Sequence, residues 1–442
     1  MIFIIVHLFH MQKKTQSINI VTLGCSKNIV DSERLSKQLQ SSNFSITQDS
    51  NEASDVVLVN TCGFINDAKQ ESIDTILSFI EAKKQKLVKK VFVMGCLSER
   101  YKTDLANELH EVDGFYGVAD LEQIISDLGG DYKKELLGER VLSTPSHYAY
   151  LKISEGCNRN CSFCAIPLIR GKQISTPIEA LIEEAQSLVA GGVKEILLIA
   201  QDLTYYGVDL YKESKLTELV DRLSMIPGLE WIRLHYTYPI HFSDELLNLI
   251  NDRPNICKYV DIPLQHVSDR ILKSMKRGVT GDEQRKLVLR MKELVPKVAI
   301  RTTMIVGYPG ETEADFEELK AFIREMKFDR LGVFTYSPEE DTSAFELEDD
   351  VNEELKIQRM EGLMEIQEQI SLELNEHKIG KEFKVLIDSL EGDYFIGRTE
   401  FDSPEVDNEV LIPVSADLNL GEFYMAKITS ASPFDLYAEL IK

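Results

Sequence analysis

The chain has 442 residues, 43% hydrophobic and 28% charged, and its 49 Lys and Arg against 73 Asp and Glu give a formal net charge of −24. This composition excludes a disordered chain, and the length predicts two to four domains because one core rarely exceeds about 250–300 residues. The acidity disfavours non-specific binding to a phosphate backbone, which needs Lys and Arg, but does not exclude a local basic patch. A basic protein partner is at least as well favoured.

The seven cysteines are few, odd in number and widely spaced, which disfavours a secreted disulfide framework. They indicate a reduced, cytoplasmic setting in which cysteines are metal ligands or reactive thiols. Residues 1–9 are apolar, but they are too few to span a bilayer and lack the features of a signal peptide. We expect Met11 to be the true start and residues 1–17 to be a disordered or untranslated extension. A weak membrane-surface anchor is the alternative.

The first predicted domain, over residues 18–130, is an open parallel sheet. Three short apolar runs rich in β-branched residues predict buried strands: 18–25, 55–62 and 89–96. Helical patterns at 31–39 and 68–86 lie between these runs. Strand and helix alternation of this kind builds a parallel sheet with helices on both faces.

A second alternation of strands and helices predicts a central domain over residues 143–373. Its candidate strands are 148–154, 195–200, 231–236, 259–264, 299–307 and 331–336. Helical segments such as 178–191 and 216–226 separate them. Six β/α units in series indicate a partial, TIM-like (β/α)6 barrel, whose chemistry gathers at the carboxyl ends of the strands. A helix follows within residues 345–376, and we expect its apolar stripe to pack in the core: Met360, Leu363, Met364 and Ile370.

The last predicted domain, over residues 376–442, is a small β-barrel, because five short strands alternate there with turns. Residues 378–442 contain 13 acidic and 6 basic residues, so this barrel is acidic too. The fold class is therefore α/β with a small all-β domain at the carboxyl end.

Cys157, Cys161 and Cys164 form the motif CxxxCxxC directly after the first barrel strand. Three thiolates in one loop can ligate three irons of a 4Fe-4S cubane and leave the fourth iron open, whereas fully coordinated cubanes take four cysteines. An iron without a protein ligand can bind a substrate, as the open coordination position of catalytic zinc does. Zinc is the alternative, but it needs a fourth ligand, and His147 lies on the far side of the strand.

Cys25, Cys62 and Cys96 are each the last residue of a predicted strand of the first domain. The carboxyl ends of neighbouring parallel strands meet at the crevice where ligands bind. We therefore expect these three cysteines to converge and to hold a second cluster with an open iron. Cys257 has no partner in this pattern and is expected to be core packing.

These motifs together resemble a known family. CxxxCxxC after a first barrel strand resembles the radical S-adenosylmethionine (SAM) superfamily. The cysteine-bearing first domain and the small β-barrel, similar to a TRAM domain, narrow the resemblance to the methylthiotransferases from about residue 18 to the end. The stretches that carry it are TLGCSKNIVDSE (22–33), VNTCGFI (59–65), IPLIRGK (166–172), DIPLQHVSDRILKSMKRG (261–278) and IVGYPGET (305–312).

Two branches of this family differ in substrate: the MiaB type modifies an adenosine of transfer RNA, and the RimO type modifies an aspartate of ribosomal protein S-twelve. TLGCSKNIVDSE, SEGCNRNCSFCAIPLIRGK (154–172) and GRTEFDSPEVDNEV (397–410) resemble the RimO type. The acidic small barrel also favours the basic ribosomal protein over RNA. At residues 339–342 the sequence departs from the family, because Asp341 replaces the usual glycine of a local turn.

The resemblance implies radical chemistry with two 4Fe-4S clusters. The barrel cluster on Cys157, Cys161 and Cys164 would bind SAM, whose one-electron cleavage gives a 5′-deoxyadenosyl radical that takes hydrogen from the aspartate β-carbon. The auxiliary cluster on the other three cysteines would carry sulfur, and a second SAM would give the methyl group. Tentative SAM contacts are Phe163, Gln201, Gly307 and Tyr308. Gln265 and His266 also lie at a strand end, where an ordinary hydrogen-bonded histidine is expected.

Several further expectations follow from this resemblance. The electron donor would be a reductase or a protein of the ferredoxin or flavodoxin type. The enzyme would be a cytoplasmic monomer without a membrane segment and without stable nucleic-acid binding. Two alternatives stay open at this point: a transfer-RNA methylthiotransferase of the MiaB type, and a non-catalytic iron–sulfur or zinc protein that binds ribosomes.

Overall fold

The computed structural model describes residues 15–136, 138–240, 242–415 and 417–441, and it divides into two compact units, Met1–Val141 and Leu142–Lys442. The predicted start at Met11 and most of the predicted extension lie outside the described residues. In the described part of the chain, no helix combines the length and the apolar character that a membrane crossing requires.

The first unit is a parallel sheet covered by helices. Its described strands are β1 (Ser17–Thr22), β2 (Ser45–Gln48), β3 (Val56–Thr61), β4 (Lys90–Gly95) and β5 (Gly114–Phe115). Its described helices are α1 (Ser26–Ser41), α2 (Asn66–Lys84), α3 (Cys96–Glu108) and α4 (Leu121–Asp127), followed by a 3₁₀ turn at Lys134–Leu136. The strand order is β2-β1-β3-β4-β5, and all neighbouring strands are parallel.

Helices cover both faces of this sheet, so its central strand β3 is buried along its whole length. Leu35 of α1 and Ile124 of α4 pack on one face, whereas Ile76 of α2 and Leu97 of α3 pack on the other. The chain therefore changes direction across the sheet between β1 and β3. Ligands of open α/β sheets bind at this topological switch point, beside the carboxyl ends of the strands.

The second unit begins with the six-stranded open barrel that the sequence predicts. Its strands, with a small hairpin of β7 and β8, are β6 (Tyr148–Lys152), β7 (Ser154–Glu155), β8 (Ile174–Ser175), β9 (Glu195–Ile199), β10 (Trp231–Leu234), β11 (Ile256–Asp261), β12 (Ala299–Val306) and β13 (Arg330–Thr335). The barrel order is β6-β9-β10-β11-β12-β13, parallel throughout.

Helices enclose this barrel on the outside. They are α5 (Ile166–Arg170), α6 (Ile178–Ala190), α7 (Val208–Tyr211), α8 (Leu216–Ser224), α9 (Asp244–Asp252), α10 (Asp269–Ser274), α11 (Gly281–Leu294), α12 (Glu313–Met326) and α13 (Glu353–Glu376), with a 3₁₀ turn at Leu203–Tyr205. Capping boxes at Thr280 and Thr312 fix the starts of α11 and α12. The predicted stripe on α13 is confirmed as packing, because Leu363 and Ile370 lie in the core and Met360 packs against it.

Strand alternation separates an apolar outer layer from a polar lumen. Ile196, Leu198 and Ile232 face the helices and belong to one continuous hydrophobic core. Their sequence neighbours, such as Glu195 and Arg233, face the lumen of the barrel and are also fully buried. The lumen of this barrel therefore holds buried charged side chains beside aliphatic ones such as Leu197.

The carboxyl-terminal part of the second unit is a closed five-stranded barrel. Its strands are β14 (Glu382–Glu391), β15 (Tyr394–Arg398), β16 (Glu409–Pro413), β17 (Phe423–Ala431) and β18 (Asp435–Leu440), in the order β14-β15-β16-β18-β17. Val385, Ile412 and Ile428 contribute to its small core. With this barrel, the predicted fold class is confirmed in all three parts.

Residues 399–408, which connect β15 to β16, insert into the amino end of the (β/α)6 lumen, and we call them the plug loop. Arg233 pairs with Glu195 at 2.8 Å and donates to the backbone oxygen of Glu400 at 2.8 Å. Further pairs join lumen and plug loop: Tyr259 with Asp407 at 2.7 Å, His235 with Ser403 at 3.0 Å, and Arg330 with Asp402. The plug loop thus closes this end and leaves chemistry to the carboxyl end.

The structure corrects some predicted element bounds. Cys25 and Cys96 are not the last residues of strands: β1 ends at Thr22, β4 ends at Gly95, and Cys96 is the first residue of α3. Cys257 lies inside β11 rather than before it, and it is fully buried beside Trp231 and the small barrel, as expected for packing.

Candidate functional site

The first three cysteines all lie just beyond the carboxyl ends of neighbouring parallel strands. Cys25 precedes the first turn of α1 after β1, Cys62 follows β3, and Cys96 starts α3 after β4. Because β1 and β3 flank the switch point, two of these cysteines border the crevice where open α/β sheets bind ligands.

Close packing brings the three cysteine segments together. A Cβ atom added to Gly24 would lie 2.7 Å from the Cβ of Cys62, and one added to Gly63 would lie 3.0 Å from the carbonyl carbon of Cys96. Gly95 has a φ of +99°, and a Cβ there would lie 2.6 Å from the carbonyl oxygen of Thr61. Only glycine fits this turn, which places Cys96 against the end of β3.

A buried asparagine that the sequence reasoning missed connects these segments. The amide of Asn28 donates to the carbonyl oxygens of Leu23 at 2.8 Å and Thr61 at 3.1 Å. Its Oδ1 lies 3.8 Å from the Sγ of Cys96, and its carbonyl oxygen accepts from the amide of Asn60 at 2.9 Å. Polar residues beside each cysteine, in GCSKN and VNTC, were the signal in the sequence.

The electrostatics of this edge favour an anionic group. Helices α1 and α3 begin at the cysteines, so their unpaired backbone N–H groups and helix dipoles point there. A centre held by three thiolates is negatively charged and gains from both helix ends. The arrangement therefore suits a thiolate-bound metal centre.

In the second unit, Cys157, Cys161 and Cys164 occupy a loop closed at its base by the β7–β8 hairpin. The N–H of Cys157 donates to the carbonyl oxygen of Gly171 at 3.1 Å. Gly156 has a φ of +78°, and a Cβ there would lie 2.3 Å from the carbonyl oxygen of Lys172. A glycine is required at this crossing, and it directs the cysteines into the mouth of the barrel.

These barrel thiols resist ionisation on their own. Burial raises the pKa of Cys157 to about 11 and that of Cys164 to about 12, and the neighbouring thiols add to both shifts. A bound cationic centre reverses this preference and deprotonates coordinating thiols. Across the described ranges, no three His, Cys, Asp or Glu side chains are gathered closely enough for one metal ion. A cubane spreads its ligands more widely, because each cysteine binds a different iron.

Two arginines and a tyrosine border the cysteine loop. The guanidinium of Arg277 lies 4.2 Å from the centre of the Tyr238 ring, and that of Arg159 lies 4.1 Å from the same ring. Arg277 Nη1 donates to Cys161 Sγ at 3.3 Å, and the Tyr238 hydroxyl lies 3.8 Å from that sulfur. Arg159 pairs with Asp202 at 2.8 Å. Of these residues only Cys161 is predicted from the sequence, since nothing in the spacing of the others distinguishes them.

Gln201 lies at the mouth of the barrel, where it donates to Glu155 Oε1 at 2.7 Å. Lys152 and Arg170 bind the other carboxylate oxygen at 2.6 and 2.9 Å. Burial alone would raise the pKa of Glu155, but these two cations outweigh it and hold the pKa at about 2. Glu155 is therefore an anion that fixes the position of Gln201 beside the cysteine loop.

Tyr308 supports the cysteine loop from below. Its side chain is fully buried, and its hydroxyl lies 2.8 Å from the Oγ of Ser162. Gly307 donates to Glu311 at 2.9 Å and packs on Lys356, whereas Phe163 is partly buried against the Tyr308 cluster. The structure thus gives the Tyr308 side chain a packing environment, and all four predicted SAM contacts stay predictions.

The mouth contains buried polar atoms that have no hydrogen-bond partner among the described residues. They are Ser154 Oγ, both side-chain polar atoms of Gln173, Gln201 Oε1, Gln265 Oε1 and Arg277 Nε. Buried polar atoms in proteins are nearly always satisfied, so this set fits a polar ligand in the mouth. Gln265 also has a φ of +75°, a strained conformation of the kind found at functional sites.

His266 corrects one expectation. It is fully buried, and its Nδ1 accepts from the N–H of Ser268 at 3.0 Å. Its Nε2 lies 3.7 Å from Glu311 and makes no hydrogen bond within the described part of the chain. Only one of the two ring nitrogens of His266 therefore has a hydrogen-bond partner among the described residues.

Three family profiles match successive parts of the chain. The profile described as uncharacterized protein family UPF0004 matches residues 17–117, that of the radical SAM superfamily matches 151–323, and that of the TRAM domain matches 379–441.

Curated relatives match nearly the full length. A protein from Phocaeicola vulgatus is 54% identical over 97% of this chain and 100% of its own. One from Christiangramia forsetii is 56% identical over 96% of this chain and 94% of its own, and one from Cytophaga hutchinsonii is 53% identical over 96% and 98%. All three are named ribosomal protein uS12 methylthiotransferase RimO.

Solved structures share the fold at low identity. The radical SAM methyltransferase TsrM from Kitasatospora setae, with cobalamin and a 4Fe-4S cluster bound, matches with a TM-score of 0.53 at 15% identity, over 73% of this chain and 77% of that one. The cobalamin-dependent radical enzyme OxsB gives 0.52 at 12% identity, over 79% and 56%. These similarities concern the fold alone.

Proposed function

The chain belongs to the ribosomal protein uS12 methylthiotransferase family, and from this premise we propose that it inserts a methylthio group at the β-carbon of an aspartate of uS12. The observation that carries the proposal is 54% identity along essentially the whole length of enzymes with that name. The motif matches that favoured the RimO type over the MiaB type in the sequence support the same choice.

We propose that Cys157, Cys161 and Cys164 hold a 4Fe-4S cluster in the mouth of the (β/α)6 barrel, with SAM beside it. The orphaned polar atoms of the mouth and the cationic Arg277 on Cys161 support this assignment. When bound, this pair supplies a carbon radical that can take hydrogen from an unactivated carbon.

We assign the auxiliary 4Fe-4S cluster, with its sulfur chemistry, to Cys25, Cys62 and Cys96. Their convergence at the switch point and the two helix amino ends that face them support this assignment. Asn28 ties the three segments together by hydrogen bonds, so the chain fixes the cysteines before any group is bound.

The protein's own contribution in the barrel is positioning and exclusion of water. The plug loop fills the amino end of the lumen, so reactants enter at the carboxyl mouth. Glu155 holds Gln201 at the rim, and Tyr308 supports the cysteine loop through Ser162. Phe163, Gly307 and Tyr308 are proposed to contact SAM through the loop backbone that they shape.

The family also suggests where the enzyme works and what reduces it. We expect a cytoplasmic monomer, because its substrate is a ribosomal protein and its cysteines require a reducing compartment. The electron would come from a reductase or from a donor of the ferredoxin or flavodoxin type. Stable nucleic-acid binding is not expected from an acidic chain.

Mass spectrometry of ribosomal proteins from a deletion strain tests the proposal. Loss of the methylthio group from the uS12 aspartate, restored by the wild-type gene and by Cys257→Ala but not by Cys161→Ala, is expected. Cys257 is a suitable control because it is a buried cysteine that belongs to neither set and packs with Trp231 and Leu386. A fully modified aspartate in the deletion strain would falsify the proposal.

The same strain distinguishes the alternatives. Loss of methylthiolated adenosine from transfer RNA, with uS12 unaffected, would identify the MiaB type. A non-catalytic protein would release no 5′-deoxyadenosine when it is reconstituted anaerobically with SAM and reductant. The full-length relatives favour neither alternative.

A further inference from the structure

We propose that Arg277 raises the reduction potential of the barrel cluster by donating a charged hydrogen bond to the Cys161 sulfur. This inference rests on the proposed function, because it takes Cys157, Cys161 and Cys164 as the ligands of that cluster. It assigns a role to a residue outside the cysteine motif.

The contacts of Arg277 lack a counter-ion. Its side chain is 4% exposed, with Nη1 3.3 Å from Cys161 Sγ and Nη2 2.6 Å from the carbonyl oxygen of Pro263. Among the described residues, no carboxylate contacts it and its Nε has no partner. A buried guanidinium without an anion is strongly unfavourable, because nothing replaces the hydration that its charge loses. An anionic cluster on Cys161 would supply the missing charge.

A second arginine, Arg159, contacts the same tyrosine but differs from Arg277 in having a carboxylate partner. The guanidinium of Arg159 also lies over the Tyr238 ring, at 4.1 Å, but it pairs with Asp202 at 2.8 Å, so its charge is already balanced. Arg277 is therefore the uncompensated cation of this pair. Tyr238 holds it in place, because the ring stacks on the guanidinium and the hydroxyl donates to the backbone oxygen of Arg277 at 2.8 Å.

The sign of the effect follows from charge. Reduction adds one electron to a cluster that is already bound by three thiolates, so the reduced state is the more negative one. A cation that donates to a ligand sulfur stabilises the reduced state more than the oxidised state. Removal of Arg277 therefore makes the cluster harder to reduce. Arg277 is a positioning residue in this account, since it acts through Cys161.

A redox titration followed by electron paramagnetic resonance, without SAM, tests the inference. The full chain carries Cys25, Cys62 and Cys96 all replaced by Ala, so that only the barrel cluster contributes. In Arg277→Gln the ratio of reduced to oxidised cluster at a fixed potential should fall at least tenfold, a midpoint about 59 mV lower for one electron. Arg277→Lys keeps the charge but loses the forked geometry, so a smaller fall is expected.

Arg285→Gln is the matched control. Arg285 also lies over an aromatic ring, 5.3 Å from Phe322, but on the outer helices of the barrel. Its midpoint should equal that of the parent, and a shift as large as that of Arg277→Gln would show a general loosening and overturn the inference. If Arg277→Gln does not retain iron, Arg277→Met, which removes the same charge but fills the buried volume, takes its place: a midpoint equal to the parent's overturns the inference.

The iron content separates this inference from the proposed function. If replacing Cys157, Cys161 and Cys164 in the full chain leaves the iron content unchanged, the site assignment fails. If the cluster is present but Arg277→Gln has the parental midpoint, the inference alone fails. A fall in SAM affinity with no change in midpoint would also overturn it, since Arg277 would then be a ligand for the substrate.

Discussion

At the scale of single residues, Asp341 explains a departure of this chain from its family's usual turn. The residue is exposed and has a φ of +62°, the left-handed conformation that glycine adopts without strain. Aspartate is among the few other residues that tolerate this conformation, because its short side chain can hydrogen-bond locally. The turn that the sequence left in doubt is therefore kept, at some cost in free energy.

Asp341→Gly should raise the free energy of unfolding by up to about 1 kcal/mol, because relief of the left-handed strain exceeds the added entropy of the unfolded chain. Asp341→Ala should lower it. Glu346→Gly, at an exposed position without positive φ, is the control and should destabilise. Differential scanning calorimetry measures all three, and a stabilising Asp341→Ala would contradict the strain argument.

The sequence could single out the six cysteines as candidate ligands because thiols have few roles and their spacing is distinctive, and their role as ligands stays a prediction. Arg277, Tyr238 and Asn28 could not, since arginine, tyrosine and asparagine are common at ordinary surfaces and turns. What distinguishes them is burial and the contacts that each makes with a cysteine segment, and both arise only when distant segments fold together. Gly95 and Gly156 directly precede Cys96 and Cys157 in the sequence. Only the structure shows that a Cβ at either position would clash with backbone atoms of another segment.

At the scale of elements, the plug loop turns a sequence motif into an internal contact. GRTEFDSPEVDNEV resembles the RimO type, and three of its side chains, Arg398, Ser403 and Asp407, pair with buried side chains of the (β/α)6 barrel. Arg398 is 3% exposed and binds Asp388 at 2.6 Å and Glu195 at 2.8 Å. The small barrel is thus joined to the core barrel by buried ion pairs as well as by apolar packing.

Arg398→Met should lower the free energy of unfolding by about 3–5 kcal/mol, because Asp388 loses its guanidinium and Glu195 keeps only Arg233. Lys286→Ala removes an exposed pair with Asp282 and should leave unfolding unchanged. Urea unfolding of the full chain, followed by tryptophan fluorescence, is a suitable measurement because Trp231 lies at the interface of the two barrels. Equal stability of both variants would show that the pairs contribute nothing.

The loss of folding stability at acid pH tests the same interface between the two barrels. Burial alone would raise the pKa of Asp388, but Arg398 and His147 outweigh it and leave the pKa lowered. A carboxyl with a lowered pKa in the folded state contributes stability above its unfolded pKa, and this is lost as the pH falls below about 5. Asp388→Asn should therefore flatten the decline in stability between about pH 5 and pH 3.

Asp407→Asn is the control, because it should change the pH dependence of stability in the opposite direction. Burial raises the pKa of Asp407 despite the nearby Arg330 and Arg301, so this group costs stability as the pH rises through its folded pKa. Removing it should steepen the decline toward acid rather than flatten it. Calorimetric melting temperatures across the pH range measure both variants, and curves of the same shape would count against these assignments.

At the scale of the whole molecule, the acidity has two components. Asp388, Asp402 and Asp407 of the small barrel are paired inside the protein, so they offer no charge to a partner. Glu391, Asp393 and Glu409 are exposed, and like-charge proximity adds to burial in raising the pKa of Glu409. The surface of the small barrel is therefore less acidic than its net charge suggests, although its negative sign still suits a basic ribosomal protein.

The whole chain should bind about eight irons when two cubanes are assembled. Replacing Cys25, Cys62 and Cys96 by Ala, or Cys157, Cys161 and Cys164 by Ala, should halve that number, because the two sets lie in different compact units. Iron assay after anaerobic reconstitution measures both, with Cys257→Ala as control. Loss of all iron from either triple variant would show that the sites depend on each other.

The plug loop also constrains the order in which the protein can be completed. Translation runs from the amino end, so Arg233 and Arg330 leave the ribosome well before Glu400, Asp402 and Asp407 exist. Until the last strands emerge, the core barrel holds arginines that still lack their final partners, and its lumen stays open to water. The barrel that carries the chemistry is therefore finished only by the last segment to be synthesised, and a nascent or truncated chain lacks a sealed reaction chamber.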